Sequence, residues 1–176
     1  MTRAPAPFPL ERLADIPDRP EDFRLLERIP LTREPQSWPL ELSPMVGDEQ
    51  PMVLLDTETT GLSADDESII ELGMVRVLYS PSAKRIVSIV DVISLYEDPG
   101  KPIPELITEL TGITDEMEQG LHIDDSLVVS WLSDDPLVVA HNAQFDRPFF
   151  EKRFAALGHL SWACSASGID WKALGF

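Results

Sequence analysis

A continuous apolar run at residues 52–55 ends directly in two carboxylates, Asp56 and Glu58, that are separated by a single residue. Four consecutive apolar residues are typical of a central strand that is buried on both faces. Because side chains alternate along a strand, Asp56 and Glu58 point to the same side. Two acids at the end of a buried strand repel each other, and the repulsion is costly unless a cation is shared between them. The segment therefore favours a sheet whose central strand ends at an acidic site.

The residues around these acids fit a metal site. Carboxylate oxygens are the ligands that Mg²⁺ and Mn²⁺ prefer in proteins. Thr57, Thr59 and Thr60 add hydroxyl groups, and Gly61 allows the chain to turn and a ligand to approach the backbone closely. The alternative is a solvated strand end whose two acids simply face water, an arrangement that is frequent in acidic proteins.

The segments that follow residue 51 predict a mixed α/β sheet. The apolar run and two β-rich segments, separated by short turns, predict an antiparallel meander. Helical and apolar patterns then alternate toward the end of the chain. The predicted strands are 52–55, 68–79, 84–96, 136–140 and one that begins within 162–165, and the predicted helices are 104–110, 124–132 and 142–157.

A second group of polar residues follows the apolar strand predicted at 136–140. Asn142 and Asp146 lie at the junction between this strand and the next helix. Ligands gather outside the carboxyl ends of parallel strands, so we expect Asp146 to approach Asp56 and Glu58. The alternative for Asp146, and equally for Asn142, is a helix N-cap.

Residues 1–50 differ in composition from the rest of the chain, because they contain nine of its 16 prolines. Proline at this density breaks helices and central strands. A short amphipathic helix is predicted at residues 21–28. We interpret residues 1–50 as a proline-rich arm that packs on the domain or binds a partner, with a loosely ordered tail as the equal alternative. Residues 51–176 form the α/β domain.

The formal net charge of −17 argues against a constitutive, non-specific nucleic-acid binder, which would present a basic face. It leaves open an enzyme that meets phosphates through bound metal ions. No apolar run approaches the roughly 20 residues that a membrane span needs. The N-terminus has no secretory pattern, and the single cysteine, Cys164, has no partner for an internal disulfide. We therefore predict a cytoplasmic protein without a membrane partner.

Two segments carry a resemblance to a known family. Residues 53–62, VLLDTETTGL, and 140–150, AHNAQFDRPFF, resemble the first and second exonuclease motifs of the DEDD (DnaQ-like) 3′–5′ exonuclease superfamily. The resemblance is to the branch that includes the proofreading ε subunit of bacterial DNA polymerase III and ribonuclease T. Residues 102–117, which contain TGIT, resemble the family's stretch between these motifs. Both motifs in this order are far more specific than either alone.

The resemblance implies a ribonuclease H-like mixed sheet with helices on both faces. It also implies hydrolysis of the terminal phosphodiester at a 3′ end, with release of nucleoside 5′-monophosphates. Two Mg²⁺ or Mn²⁺ ions lie about 3.5–4 Å apart in such sites. Carried over by position, Asp56 bridges both ions, Glu58 holds one, and Asp146 completes the acidic cluster, partly through water. These three are the expected catalytic and metal-binding residues.

The same resemblance implies where a substrate binds. The backbone around Thr59 meets the terminal 3′-hydroxyl, and Asn142 is a further expected substrate contact. Leu62 and Phe145 are candidates to pack against the last bases, since stacking tolerates any sequence; core packing is at least as good an interpretation of Phe145. The expected partners are 3′ ends of single-stranded DNA or RNA, and a DNA polymerase.

The sequence departs from the family in one respect. The family has a third motif, a general-base histidine followed by a metal-binding aspartate, on helices downstream of the second motif. Residues 162–176 resemble the stretch before those helices, so we expect a fragment that lacks them and is nearly inactive, because a general base contributes about 10²–10⁴-fold. His122 and His159 have the pattern of surface histidines, and His141 only mimics the third motif. The alternative function is a catalytically impaired, nuclease-like binding module that recruits a partner through residues 1–50.

Overall fold

The computed structural model describes residues 10–20 and 38–174 of the chain, which divides into two compact units, Met1–Gln36 and Ser37–Phe176. In the first unit, a 3-10 helix spans Leu10–Asp15. The helix predicted at 21–28 lies outside the described residues. The second unit contains the sheet and begins before residue 51, where the sequence suggested the domain boundary.

Six strands of the second unit form one mixed sheet in the order β1-β4-β3-β2-β5-β6. Each neighbouring pair among β1, β4, β3 and β2 is antiparallel, whereas β2, β5 and β6 are parallel. The strands are β1 (Leu40–Glu41), β2 (Gln50–Thr59), β3 (Ile69–Ser80), β4 (Arg85–Tyr96), β5 (Leu137–Ala140) and β6 (Trp162–Cys164). The predicted meander and mixed α/β sheet are confirmed. Strand β1 was not predicted, because two residues between prolines give no periodic signal.

The described helices of the second unit are short. They are α1 (Glu105–Thr111), α2 (Asp115–Glu118), α3 (Asp125–Trp131), α4 (Ala143–Arg153), α5 (Ser165–Gly168) and a 3-10 helix at Ala155–Leu157. Helix α3 begins after Asp124, whose carboxylate accepts a hydrogen bond from the Ser126 backbone N–H at 2.8 Å. Helix α1 ends at Gly112, whose φ of 79° is left-handed. The predicted helix 142–157 is too long, because Phe154 leaves helical geometry at φ −122°, ψ 61°.

The main core lies between one face of the sheet and helices α3 and α4. Val53 and Leu55 of β2 contribute to this face, and Val128 and Phe150 cover it. Val128 of α3 and Leu132, which follows the helix, are buried in this core, whereas Leu127 is 37% exposed. A smaller cluster joins α1 to the sheet and comprises Ile70, Ile103 and Ile113, with Tyr96 and Ile107 packed against it.

The opposite face of β2 is open. Met52 and Leu54 are only half-buried and line a groove of about 890 Å³ with Val75, Val92 and Val139. The prediction that residues 52–55 are buried on both faces is therefore wrong for this second face. Among residues 10–20 and 38–174, no helix has the length and apolar character that a membrane crossing requires.

Candidate active site

The two acids of β2 lie beyond the point where β2 pairs with β5. That pairing joins Met52, Val53 and Leu54 to residues 137–139, and β5 ends at Ala140. From there onward, the edge of β2 that faces β5 is open to the start of helix α4. This is the edge at which the parallel and antiparallel parts of the sheet meet, where ligands bind in open α/β sheets.

Asp146 of α4 occupies this edge. Its Oδ1 accepts hydrogen bonds from the backbone N–H of Thr57 at 3.0 Å and from the Thr57 hydroxyl at 2.9 Å. Asp146 is only 2% exposed. Its carboxyl group is therefore attached to the one residue that separates Asp56 from Glu58.

The N-cap alternative for Asp146 is wrong, because Asp146 is the fourth residue of α4. Asn142 occupies the N-cap position instead. Its φ is 74°, and its side chain makes no capping hydrogen bond. The burial of Asp146 follows from its place on the side of α4 that faces β2, which is a packing position rather than a helix end.

Negative charge is concentrated among these groups. Burial, and next the charge of Glu71, raises the pKa of Asp56, while His141 acts in the opposite direction. Burial and the charges of Asp56, Glu71 and Asp146 raise the pKa of Glu58. Burial also raises the pKa of Asp146, although its hydrogen bonds from Thr57 oppose the shift. The three carboxyl groups therefore lie close enough to destabilise one another's ionised forms.

The donor set fits a hard divalent cation in part. Asp56 and Glu58 supply oxygen ligands on the same face of β2, and within residues 38–174 neither carboxylate has an ion-pair partner. However, no three Asp, Glu, His or Cys side chains in the described part of the chain are grouped closely enough to hold a metal ion. The described residues provide a carboxylate pair with Asp146 beside it, rather than a complete ligand cage.

The loop after β2 is folded around Glu67. The Thr60 hydroxyl donates a hydrogen bond to the Glu67 carboxylate, and Lys101 Nζ forms an ion pair with it at 2.6 Å. A Cβ atom at Gly61 would lie 2.9 Å from Glu67 Cγ, so glycine allows this close approach. Glu67 and Lys101 are structural residues of the site that the sequence did not reveal, because they are far apart in the chain and belong to no motif.

The predicted substrate contacts differ in accessibility. Leu62 is 87% exposed, and Asn142 is also exposed. Thr59 is 5% exposed, and its hydroxyl donates to the Gly61 carbonyl oxygen at 2.6 Å. Phe145 packs against the main core and lies 5.2 Å from the Phe149 ring, which is the core-packing alternative.

The three histidines make their polar contacts with residues other than Asp56, Glu58 and Asp146. His122 Nδ1 lies 3.4 Å from Glu97, and His159 Nε2 lies 2.9 Å from Asp135. His141 Nδ1 lies 3.1 Å from the Ser165 hydroxyl, although His141 also lies close enough to Asp56 to affect its pKa.

Residues 53–167, more than half of the chain, match the sequence profile of the RNase_T family, which is described as exonuclease. The chain belongs to this exonuclease family. The resemblance to DEDD, DnaQ-like exonucleases is thereby confirmed, and the family makes this chain a nuclease domain.

Curated relatives agree with this membership. The chain is 37% identical to a PolC-type DNA polymerase III of Bacillus subtilis over 113 residues, which are 62% of this chain and 7% of the relative. The corresponding protein of Halalkalibacterium halodurans is 38% identical over 108 residues, 60% of this chain and 7% of the relative. The chain thus spans less than a tenth of the length of these relatives.

Solved structures share the fold. Escherichia coli Exonuclease I in complex with a dA16 oligonucleotide superimposes with a TM-score of 0.51 at 12% identity, covering 66% of this chain and 28% of that one. A product-bound Exonuclease I gives a TM-score of 0.52 over 66% of this chain and 30% of that one. The predicted ribonuclease H-like architecture is confirmed by this similarity.

Proposed function

We propose that this domain is a metal-dependent 3′–5′ exonuclease, which hydrolyses terminal phosphodiesters of single-stranded nucleic acid to nucleoside 5′-monophosphates. The observation that supports the proposal most strongly is the attachment of Asp146 to Thr57, between Asp56 and Glu58. This bond attaches Asp146 to the strand that carries Asp56 and Glu58, at one end of the sheet.

Each acid has a distinct role in the proposal. Two Mg²⁺ or Mn²⁺ ions supply, when bound, an activated water and charge stabilisation for the leaving oxygen. Asp56 and Glu58 hold the cations, because they are the accessible carboxylates of β2. Asp146 fixes the start of α4 against β2 and adds the third negative charge.

Substrate binding is proposed for the surface beside these acids. The exposed side chain of Leu62 is available to pack against a terminal base, whereas the core contacts of Phe145 leave it less available. The backbone at Thr59 and the exposed Asn142 are the proposed polar contacts. The single-stranded DNA bound to Exonuclease I supports a single-stranded substrate.

The PolC-type relatives are DNA polymerases, which supports a polymerase as a partner and, with it, a cytoplasmic location. We also propose that the 176-residue chain alone has low activity. None of His122, His141 and His159 forms a hydrogen bond or ion pair with Asp56, Glu58 or Asp146 in the described part of the chain, which supports this low activity.

A second candidate is a nuclease-like binding module that recruits a partner through residues 1–50. The observation that favours it is the lack of a three-residue metal group among residues 10–20 and 38–174.

A 5′-labelled single-stranded oligonucleotide, incubated with the protein and Mg²⁺ or Mn²⁺, tests the first candidate. We expect slow, stepwise shortening from the 3′ end that stops on addition of EDTA and is absent in Asp56→Ala. Glu41→Ala, which changes an exposed acid of β1, is the matched control and should retain the activity. Shortening that continues in excess EDTA, or that Asp56→Ala performs as well as the wild type, refutes the proposal. Partner capture that requires residues 1–50, with no cleavage under any of these conditions, favours the binding module.

A further inference from the structure

Strand β3 places a carboxylate directly opposite one of the site acids. Glu71 is the register partner of Glu58 in the antiparallel β2–β3 pair. Side chains of directly opposed residues lie on the same face, with Cβ atoms about 4.5–5.5 Å apart, and like charges in this arrangement destabilise a sheet. The pair is therefore unfavourable unless something positive lies near it.

A hydrogen bond from the next strand holds Glu71. The Ser94 hydroxyl of β4 donates to Glu71 Oε1. Ser94 pairs with Gly73, and Gly73 pairs with Asp56 on its other side. Because Gly73 has no side chain, nothing projects from β3 between Asp56 and Ser94, and the face that carries Asp56, Glu58 and Glu71 stays open there.

Among the residues that the structure describes, no basic group forms an ion pair that compensates for this charge. Within residues 38–174, Glu71 has no ion-pair partner. Its charge acts on both Asp56 and Glu58. Burial, and next the charge of Glu71, raises the pKa of Glu118, which is 1% exposed and whose two carboxyl oxygens have no hydrogen-bond partner among the described residues. Glu71 thus adds negative charge to the site that no described residue neutralises through an ion pair.

We propose that Glu71 is a supporting carboxylate of the cation site, which Ser94 orients and which raises the affinity of Asp56 and Glu58 for a divalent cation. This inference rests on the proposed function. Because no three described acids are grouped closely enough to ligate one ion, Glu71 acts through its charge or through water. It is a positioning residue, not a catalytic one.

The variant Glu71→Gln removes the negative charge of the side chain and nearly preserves its shape. A glutamine oxygen still accepts the Ser94 hydrogen bond, while the negative charge is lost. A residue with a purely structural role would lose stability on substitution. A supporting carboxylate loses cation affinity instead, and without cation its removal relieves the repulsion from Glu58. We therefore expect the two properties to change in opposite directions.

Mn²⁺ alone, titrated into the whole chain and followed by isothermal calorimetry, tests the inference. We expect Glu71→Gln to weaken Mn²⁺ binding about three- to tenfold at low salt. The difference in affinity between the variant and the wild type should become smaller as salt is added. The thermal midpoint of Glu71→Gln in EDTA should equal or exceed that of the wild type. Ser94→Ala, which keeps the charge but loses the hydrogen bond, should weaken binding by a smaller factor. Glu41→Gln should bind as the wild type does.

The outcomes distinguish this inference from the proposed function. If Asp56→Ala abolishes Mn²⁺ binding while Glu71→Gln binds as tightly as the wild type, the inference is wrong and the proposed site stands. If Glu71→Gln loses affinity and thermal stability together, Glu71 is structural and the inference is again wrong. If the wild type binds no Mn²⁺ at all, the proposed cation site and the inference both fail.

Discussion

The buried carboxyl group of Glu118 couples the stability of the domain to pH. Glu118 lies in α2, is 1% exposed, and finds no hydrogen-bond partner for either oxygen within residues 10–20 and 38–174. Burial, together with the charges of Glu71, Asp98 and Asp115, raises the pKa of Glu118 from 4.5 to about 7. The folded state therefore holds a proton on Glu118 at pH values where the unfolded chain has lost it.

The sign and size of the effect follow from linkage. The pKa of Glu118 is higher in the folded state than in the unfolded state. The stabilisation that protonated Glu118 gives the folded state is therefore fully present below pH 4.5 and is lost as the pH rises to about 7. Each unit of pKa shift corresponds to about 1.4 kcal/mol, so the total loss is on the order of 3 kcal/mol. The variant Glu118→Gln keeps the shape of the side chain and has no proton to lose. We expect it to be about 3 kcal/mol more stable than the wild type at pH 8 and similar to it at pH 4.5.

Urea unfolding measures the difference in the free energy of unfolding between the wild type and Glu118→Gln. The experiment is done in EDTA at several pH values between 4.5 and 8. With a urea dependence of about 1–3 kcal/mol per molar, the midpoints should separate by about 1–3 M at pH 8. Glu109→Gln, an exposed acid on α1, is the control and should follow the wild type at every pH. The reasoning is refuted if Glu118→Gln is less stable than the wild type throughout, or if the two proteins show the same dependence on pH.

Three further substitutions have defined outcomes. Asp146→Ala removes the acceptor of both Thr57 hydrogen bonds and should cost about 1–3 kcal/mol in urea unfolding, and no loss would mean that this contact does not hold α4 in place. Phe150→Ala empties a fully buried site in the main core and should cost about 3–5 kcal/mol in the same assay, whereas an exposed ring would cost little. Arg153→Met removes the guanidinium group that donates to both Glu97 carboxylate oxygens. Thermal melting should show a loss of about 2 kcal/mol in the free energy of unfolding. An unchanged stability would mean that the pair is only a surface contact.

Strands β3 and β4 were predictable because each is a long β-rich segment with a clear sequence pattern. The predicted strands 68–79 and 84–96 differ by one residue at most from Ile69–Ser80 and Arg85–Tyr96. Strand β1 has only two residues, and its presence depends on pairing with β4 rather than on its own pattern. The open face of β2 was also unpredictable, because an apolar run has the same pattern whether one face or both are covered.

The parts of the candidate site that lie in the two exonuclease motifs were predictable from the sequence. The contacts that depend on the register between strands were not. The approach of Asp146 to β2 followed from the switch from antiparallel to parallel pairing. Its hydrogen bonds to Thr57 did not, because a sequence does not state which atom a buried carboxylate meets. Glu71 was missed for the same reason: it lies in a strand of ordinary appearance, and only the β2–β3 register places it opposite Glu58.

The geometry at Asp146 has a consequence for inactivated variants. A single oxygen, Oδ1, accepts both hydrogen bonds from Thr57, and the second oxygen takes no part in them. An asparagine at position 146 that preserves this anchor must turn its amide nitrogen, with two N–H donors, to where the second oxygen now lies. Such a chain would keep the architecture of the domain while losing the third negative charge beside Asp56 and Glu58. Asparagine is therefore the substitution that weakens the proposed cation site without removing the anchor between α4 and β2.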